Sequence, residues 1–266
     1  MGRILGYMAR SASPWSQALE GEPLEATLVS LSTVPYGWGV GFYHGDEILH
    51  IKRPHTEDIE FDWRSIAKDI VSDCIIAHVR EPSVGSFRTE NTHPFRMRQW
   101  LFAHSGAISG FADLRSKLIA SLPDFMQRNV RGDTDSEVFF HMILAELFAT
   151  GQLEMPDPDP LSVIGAIRTA VQSLSDTGAP TASHVLNIVL TNGRMMVALR
   201  HGAPVAYVQR TGPSRDRLRT SQRSQDVPDY VLVAGNLAEI PADYTAIPEG
   251  QVLIIDRDLR VALHPL

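Results

Sequence analysis

Residues 132–150 read Gly-Asp-Thr-Asp-Ser-Glu-Val-Phe-Phe-His-Met-Ile-Leu-Ala-Glu-Leu-Phe-Ala-Thr. From Asp135 to Thr150 the run is rich in Phe, Leu, Ile and Met, and it is the strongest helix in the chain. Thr134 stands at the cap with Glu137 three residues on, the capping-box spacing. Three weaker helices surround it. Asp62–Ser72 carries Trp63, Ile66, Ala67 and Ile70 at helical intervals, and Asp113–Leu122 repeats the pattern with Leu114, Leu118 and Ile119. Leu161–Leu174 follows Pro156-Asp157-Pro158-Asp159-Pro160, a stretch that cannot continue a helix and is expected to join two packed ones.

Strand-like runs lie on both sides of this helical block. Before it come Arg3–Ala9, Trp38–Tyr43, Glu47–Lys52, Cys74–Arg80 and Trp100–His104. After it come Leu186–Thr191, Arg194–Arg200, Val205–Gln209, Tyr230–Ala234 and Val252–Ile255. Their β-branched and aromatic content, punctuated by Gly, Pro and Asn, supports strands. Thr191-Asn192-Gly193-Arg194 predicts a two-residue hairpin turn, because Asn-Gly tolerates positive φ at both central positions. His44-Gly45-Asp46 and Asp256–Asp258 read as further hairpin connections. Strands, then helices, then strands predict an antiparallel sheet core with helices packed outside, an α+β layered fold.

Composition narrows the function. The chain has 266 residues, 44% of them hydrophobic and 21% charged, close to an average globular protein. Its net charge is −7, from 24 basic and 31 acidic residues, which argues against a nucleic-acid binder working by bulk charge. No apolar run approaches the roughly 18 residues of a membrane span. The start lacks a basic segment followed by a long apolar one, so no secretory signal is expected, and Gly6 stands where myristoylation wants Ser or Thr. The expected setting is cytoplasmic. A single cysteine, Cys74, excludes an internal disulfide and thiolate clusters, and its apolar run predicts a buried structural thiol. The arginines of the polar segment Arg210–Asp229 read as a solvated loop in preference to an anion-binding patch.

The candidate chemistry sits where strands end. His78-Val79-Arg80 closes an apolar strand and opens into a Pro/Gly loop, and His104-Ser105-Gly106 does the same on a second strand. Polar residues delivered into such loops often face a ligand, which makes His78 and His104 candidates, against the plainer reading of a satisfied core histidine. The acids at the helix start near Asp135 would also complement the helix dipole. The histidines lack ligand-type spacing, so no metal is expected. Without a Gly-x-Ser-x-Gly elbow, a serine hydrolase is poorly supported.

Taken in order, these segments resemble the class II glutamine amidotransferases, which are N-terminal-nucleophile (Ntn) hydrolases. The resemblance rests on Arg3-Ile4-Leu5-Gly6-Tyr7, Gly37-Trp38-Gly39-Val40-Gly41, Ala77-His78-Val79-Arg80, Asn91-Thr92-His93-Pro94-Phe95, Phe102-Ala103-His104-Ser105-Gly106 and Thr134-Asp135-Ser136-Glu137. Ile247-Pro248-Glu249-Gly250 extends it close to the end of the chain. It is most similar to the small stand-alone branch that includes the γ-glutamyl amidohydrolase of ergothioneine biosynthesis. The resemblance implies a four-layer αββα sandwich of two mostly antiparallel sheets, as a single domain over residues 1–266. It implies no cofactor and a glutamine or γ-glutamyl ligand. By motif match, Arg80 would grip the ligand's α-carboxylate and Asp135 its α-amine, while the Gly106 N–H would face the oxyanion.

The departures from the pattern are as informative. Position 2 is Gly2, where the family carries its nucleophilic cysteine, and position 105 is Ser105, where it carries an oxyanion-hole asparagine. Tyr36 precedes Gly37-Trp38-Gly39 where an aspartate is common, and Ala234-Gly235-Asn236-Leu237 replaces the usual Ala-Ser-Glu-Pro. Glycine offers no nucleophile, and losing one oxyanion donor costs on the order of 3 kcal/mol in the transition state. An engineered change would account for Gly2 alone. Loss of hydrolysis across a whole lineage also accounts for Ser105 and Gly235-Asn236. The readings that follow are a non-hydrolysing relative that keeps a ligand pocket or a partner-binding role, a glutaminase or γ-glutamyl amidohydrolase in inactive form, and a structural subunit beside a synthase or ligase.

Overall fold

The computed structural model describes residues 2–22, 37–54, 63–80, 86–176, 184–211 and 229–266. The strands are β1 (Arg3–Pro14), β2 (Trp38–His44), β3 (Glu47–Arg53), β4 (Val71–Val79), β5 (Phe95–Met97), β6 (Trp100–Ala107), β7 (Val185–Thr191), β8 (Met196–Leu199), β9 (Val205–Arg210), β10 (Tyr230–Gly235), β11 (Thr245–Ala246), β12 (Gln251–Ile255) and β13 (Val261–Pro265). The helices are α1 (Trp15–Leu19), α2 (Trp63–Asp69), α3 (Phe111–Ala120), α4 (Asp124–Gln127), α5 (Asp135–Ala149) and α6 (Pro160–Ser175). One sheet runs β11-β9-β10-β1-β4-β2-β3 and the other β13-β12-β8-β7-β6-β5, antiparallel at every pairing.

Alternation along each strand explains the layering, since successive side chains take opposite faces. Ile4 and Met8 of β1, Cys74 and Ile76 of β4, Leu101 and Ala103 of β6, and Leu253 and Ile255 of β12 share one core between the sheets. The intervening Leu5, Tyr7, Ile75 and Ala77 pack outward with Trp15 of α1 and Trp63 of α2. On the other sheet Trp100, Phe102, Ile188 and Leu190 pack outward against Phe139, Phe140 and Ile167 of α5 and α6. The result is the expected four-layer αββα sandwich. Strands buried on both faces read as continuous apolar runs rather than as alternating ones.

The expected helices at 135–150 and 161–174 match α5 and α6 closely. Glu137 N–H donates to Thr134 Oγ1 at 3.3 Å, but the Glu137 carboxylate accepts from the Arg131 and Gly132 amides, so the box closes on the preceding loop. Asp159 caps α6, with its carboxylate accepting from Ser162 N–H at 2.9 Å.

Other boundaries moved. Asp62 lies outside the described residues, and the helix expected to reach Ser72 stops at Asp69. Val71 and Ser72 pair with Pro14 and Ser13 of β1, and the Ile70 carbonyl accepts from Trp15 N–H at 2.9 Å. Strand pairing there overrides helical spacing. The helix expected over 113–122 is shifted to Phe111–Ala120, where buried Phe111 anchors its first turn. At Thr191–Arg194 the expected two-residue turn is a longer loop, because Thr191 pairs with Met196. Asn192 does not take positive φ. Its Oδ1 accepts from Arg194 and Met195 N–H, both at 3.0 Å, and this side-chain turn delays the next strand. Arg210 ends β9, and residues 212–228 with their arginines lie outside the described residues.

Cys74 is fully buried with its Sγ 3.3 Å from Thr191 Oγ1, and burial pushes its thiol up to about 12. The native protein is therefore expected to resist an aromatic disulfide reagent and to react with one thiol equivalent once unfolded. Rapid stoichiometric labelling of the folded protein would show that this layer opens.

Candidate functional site

β1 occupies the middle of its sheet, between β10 and β4, so the residue before it is carried to the sheet's edge beside the end of β4. That residue is Gly2, which is buried. Its carbonyl accepts from the Ser105 hydroxyl in β6 of the facing sheet and from Asn236 Nδ2 at 2.9 Å. Asn236 follows β10 with φ 62, a left-handed conformation that asparagine tolerates, and its N–H donates to the Pro204 carbonyl at 2.8 Å. A Cβ on Gly2 would collide with the Val79 carbonyl oxygen and sit 2.9 Å from His78 Nε2. Position 2 is thus closed by the Val79 backbone and by the packed His78 ring.

His78 lies on the face of β4 between the sheets, and burial together with the nearby His104 and Arg80 pushes its imidazole down to about 3. It is neutral at neutral pH, and its Nδ1 is buried and unpartnered. His93 stacks against it with ring centroids 4.1 Å apart and touches Phe95 at 4.7 Å. Neither ring nitrogen of His93 has a hydrogen-bond partner. His104 turns the opposite way, toward the helical layer. Its Nε2 lies 2.9 Å from the Val185 carbonyl, which can only accept, so this nitrogen carries the hydrogen. Its Nδ1 lies 2.8 Å from Ser136 Oγ. The next residue, Ser105, therefore faces the inter-sheet space and Gly2. Gly106 lies in the β6–β7 ladder opposite Leu186, where any Cβ would run into the Val185 carbonyl.

Arg80 follows β4. Its N–H donates to the Gly37 carbonyl at 2.7 Å, its Nη1 donates to the Ser86 carbonyl at 2.9 Å, and its guanidinium lies 5.4 Å from the Phe87 ring centroid. Burial lowers its pKa, and the Asp135 carboxylate opposes that shift. Asp135 opens α5, where Oδ2 accepts from Ile108 N–H and Oδ1 from Ser136 N–H, both at 2.8 Å. A carboxylate has about four lone-pair positions, so these bonds leave it capacity to accept from an ammonium. Asn91 ties the Arg80 segment to the α5 entry: Nδ2 donates to the Ser86 carbonyl at 2.9 Å, and Oδ1 accepts from Asp133 N–H at 2.8 Å.

The fold therefore brings Gly2, His78, Ser105 and Asn236 into direct contact and sets Arg80 and Asp135 within electrostatic reach of each other. It directs His104 into the helical layer. Among the described residues no group of three His, Cys, Asp or Glu is placed to hold a metal ion, and no helix is long and apolar enough to cross a membrane. Asn236 and His93 were visible in the sequence, as a motif departure and as a motif member. Nothing local marked one as a partner of Gly2 or the other as an unpartnered ring.

Two packed antiparallel sheets, with the start of a central strand set at the sheet edge, define an Ntn-type amidotransferase fold. A family model for class-II glutamine amidotransferases matches residues 24–227, and the chain belongs to that family. It is 28% identical over 260 residues to the probable glutamine amidotransferase DUG3 of Saccharomyces cerevisiae, covering 86% of this chain and 71% of that protein. It is 28% identical over 176 residues to the γ-glutamyl-hercynylcysteine sulfoxide hydrolase of Mycobacterium tuberculosis, covering 65% of this chain and 62% of the hydrolase. In structure it resembles a class-II glutamine aminotransferase domain protein from Silicibacter pomeroyi, with a TM-score of 0.63, 20% identity, and coverage of 99% of this chain and 98% of the other.

Proposed function

We propose that this chain is a glutamine amidotransferase-like protein that no longer hydrolyses amides. In this reading a single domain over residues 1–266 holds the α-amino-acid head of glutamine or of a γ-glutamyl compound. The observation that carries the loss of hydrolysis is the closure of position 2. Acyl transfer from a side-chain amide needs a nucleophile at that position and donors aimed at the developing oxyanion. Gly2 supplies no nucleophile, and the Ser105 hydroxyl and the Asn236 amide are both spent on the Gly2 carbonyl.

The clamp reading is supported by the Arg80 segment and the α5 entry that carries Asp135, which Asn91 ties together. Arg80 suits a ligand carboxylate because its planar fork bonds two oxygens at once, and Asp135 suits an ammonium. A lone, inert cysteine and a modest acidic net charge fit a cytoplasmic protein. Any ammonia chemistry would then fall to a partner synthase or ligase.

The test is direct. Purified protein is expected to release no ammonia from L-glutamine above background, yet to give a calorimetric binding isotherm with at least one of L-glutamine and L-glutamate. Arg80→Ala is expected to weaken that binding by about tenfold or more, the usual scale for a charge-assisted hydrogen bond. Sustained glutaminase turnover would overturn the silent-site reading. Absence of binding to both amino acids would leave only the scaffold role.

A further inference from the structure

Beyond the clamp, a second group of polar side chains lies behind Gly2. Lys52 of β3 and His78 of β4 both pair with Gly39 of β2, so they stand in one row across the sheet and share its inner face. The His93 backbone carbonyl fills the space over Gly39. Lys52 Nζ lies 5.5 Å from the Phe95 ring centroid, and Phe95 is edge-on to His93. The groups thus form a chain: Lys52, Phe95, His93, His78 and then Gly2. Within it, both nitrogens of His93 and Nδ1 of His78 are buried without a partner. Buried polar atoms are nearly always paired, so a cluster left unpaired can take a polar occupant.

The surrounding charge decides what that occupant is. The groups that bear on His93 are His78, His104, Lys52 and Arg80, all neutral or cationic. Glu137 and Glu90 attract Lys52, but the Glu137 carboxylate is already held by the amides of residues 131 and 132. Burial outweighs that attraction and brings Lys52 down to about 8, still largely charged at neutral pH. The fixed positive charge therefore sits on Lys52 and Arg80, which attract a carboxylate more strongly than a neutral carboxamide.

We infer that Lys52, His93 and His78 form a carboxylate subsite beside Gly2, so that the pocket prefers an acidic ligand side chain to a carboxamide. This rests on the reading that the pocket binds an amino-acid head at Arg80 and Asp135, and it names the other end of the ligand. The ligand class is then an acidic amino acid or a dicarboxylate, with glutamate preferred over glutamine. A bound carboxylate favours the protonated imidazole, so a proton is taken up from solvent on binding, and affinity rises as pH falls.

The experiment follows the His Cε1–H signals by NMR, with His93 assigned by its loss in His93→Gln, during titration with glutarate, L-glutamate and L-glutamine. L-Glutamate is expected to bind about tenfold more tightly than L-glutamine, more tightly at about pH 6 than at about pH 8, with the His93 signal moving toward the protonated form. His93→Gln and, independently, the half-buried Lys52→Met are each expected to bring the two amino acids to within about threefold. Equal or tighter binding of L-glutamine by the unaltered protein would overturn the subsite, as would a preference that survives in both variants. If glutarate shifts His93 while neither amino acid binds, the subsite stands and the Arg80–Asp135 clamp falls. If glutarate leaves His93 unmoved, the subsite falls whatever the amino acids do.

Discussion

Gly2→Cys alone is expected to release no ammonia from L-glutamine above background and to lower stability by about 1–3 kcal/mol, the usual cost of overfilling a packed site. Restoring the family's nucleophile does not restore its surroundings. A Cβ at position 2 meets the Val79 carbonyl and the His78 ring, so β1 or β4 must shift before the thiol has any place. The thiolate would then lie beside His78, an imidazole that burial keeps neutral and that offers little charge to stabilise it. Ser105 would still lack the amide donor, a further loss of about 3 kcal/mol in the transition state. Ammonia release measured for Gly2→Cys beside Gly2→Cys/Ser105→Asn separates these effects. Full turnover from the single variant would mean that only the nucleophile is missing and that the closure of position 2 is readily reversed.

Glu22→Ala is expected to destabilise the protein by about 3–5 kcal/mol, read as a shift in the urea midpoint at unchanged m. Glu22 is buried where β9, β10 and the segment after α1 meet. Its Oε1 accepts from Arg210 Nε at 2.7 Å and Tyr230 OH at 2.9 Å; its Oε2 accepts from Arg210 Nη2 and Tyr244 OH, both at 3.0 Å. Asp243 completes the group from the far side of Arg210. Removing the carboxylate leaves a half-buried guanidinium with the exposed Asp243 as its remaining acid, takes the Tyr244 hydroxyl's partner away and leaves the Tyr230 hydroxyl only the Ala18 carbonyl. Burial alone would raise the Glu22 pKa, but the bonds from Arg210, Tyr230 and Tyr244 outweigh it and the net shift is downward. The contribution of Glu22 is therefore complete above the ordinary carboxylate range and fades as pH falls through the lowered folded value. Glu22→Ala should accordingly flatten the acid limb of a stability–pH curve. An unchanged urea midpoint would show that the network adds nothing net.

How far the chain could be read without its fold varies from residue to residue. Thr134 and Glu137 announced α5, because a cap and its box lie within one turn and need no distant partner. The hairpin at Asn192 was expected with two loop residues and has four, because the Asn192 side-chain turn delays the next strand until Met196 finds its partner. The strands β5 and β11 escaped notice because two or three residues carry too little pattern to stand apart from loop, and β13 because none of its residues is buried. His78 and His104 looked alike, each the polar end of an apolar strand. They face opposite layers because each strand's pleat phase is set by the core it joins.

By itself the sequence determined the layered α+β class, the long helices and the series of motifs that mark a class-II glutamine amidotransferase. These are local patterns and residue identities, and they need no coordinates. The tertiary structure alone decided that Ser105 and Asn236 close on the Gly2 carbonyl, that Glu22 gathers Arg210, Tyr230 and Tyr244, and that His93 lies unpartnered against His78. Each joins residues far apart in the chain. Such contacts follow from strand register and sheet packing, which no single segment encodes.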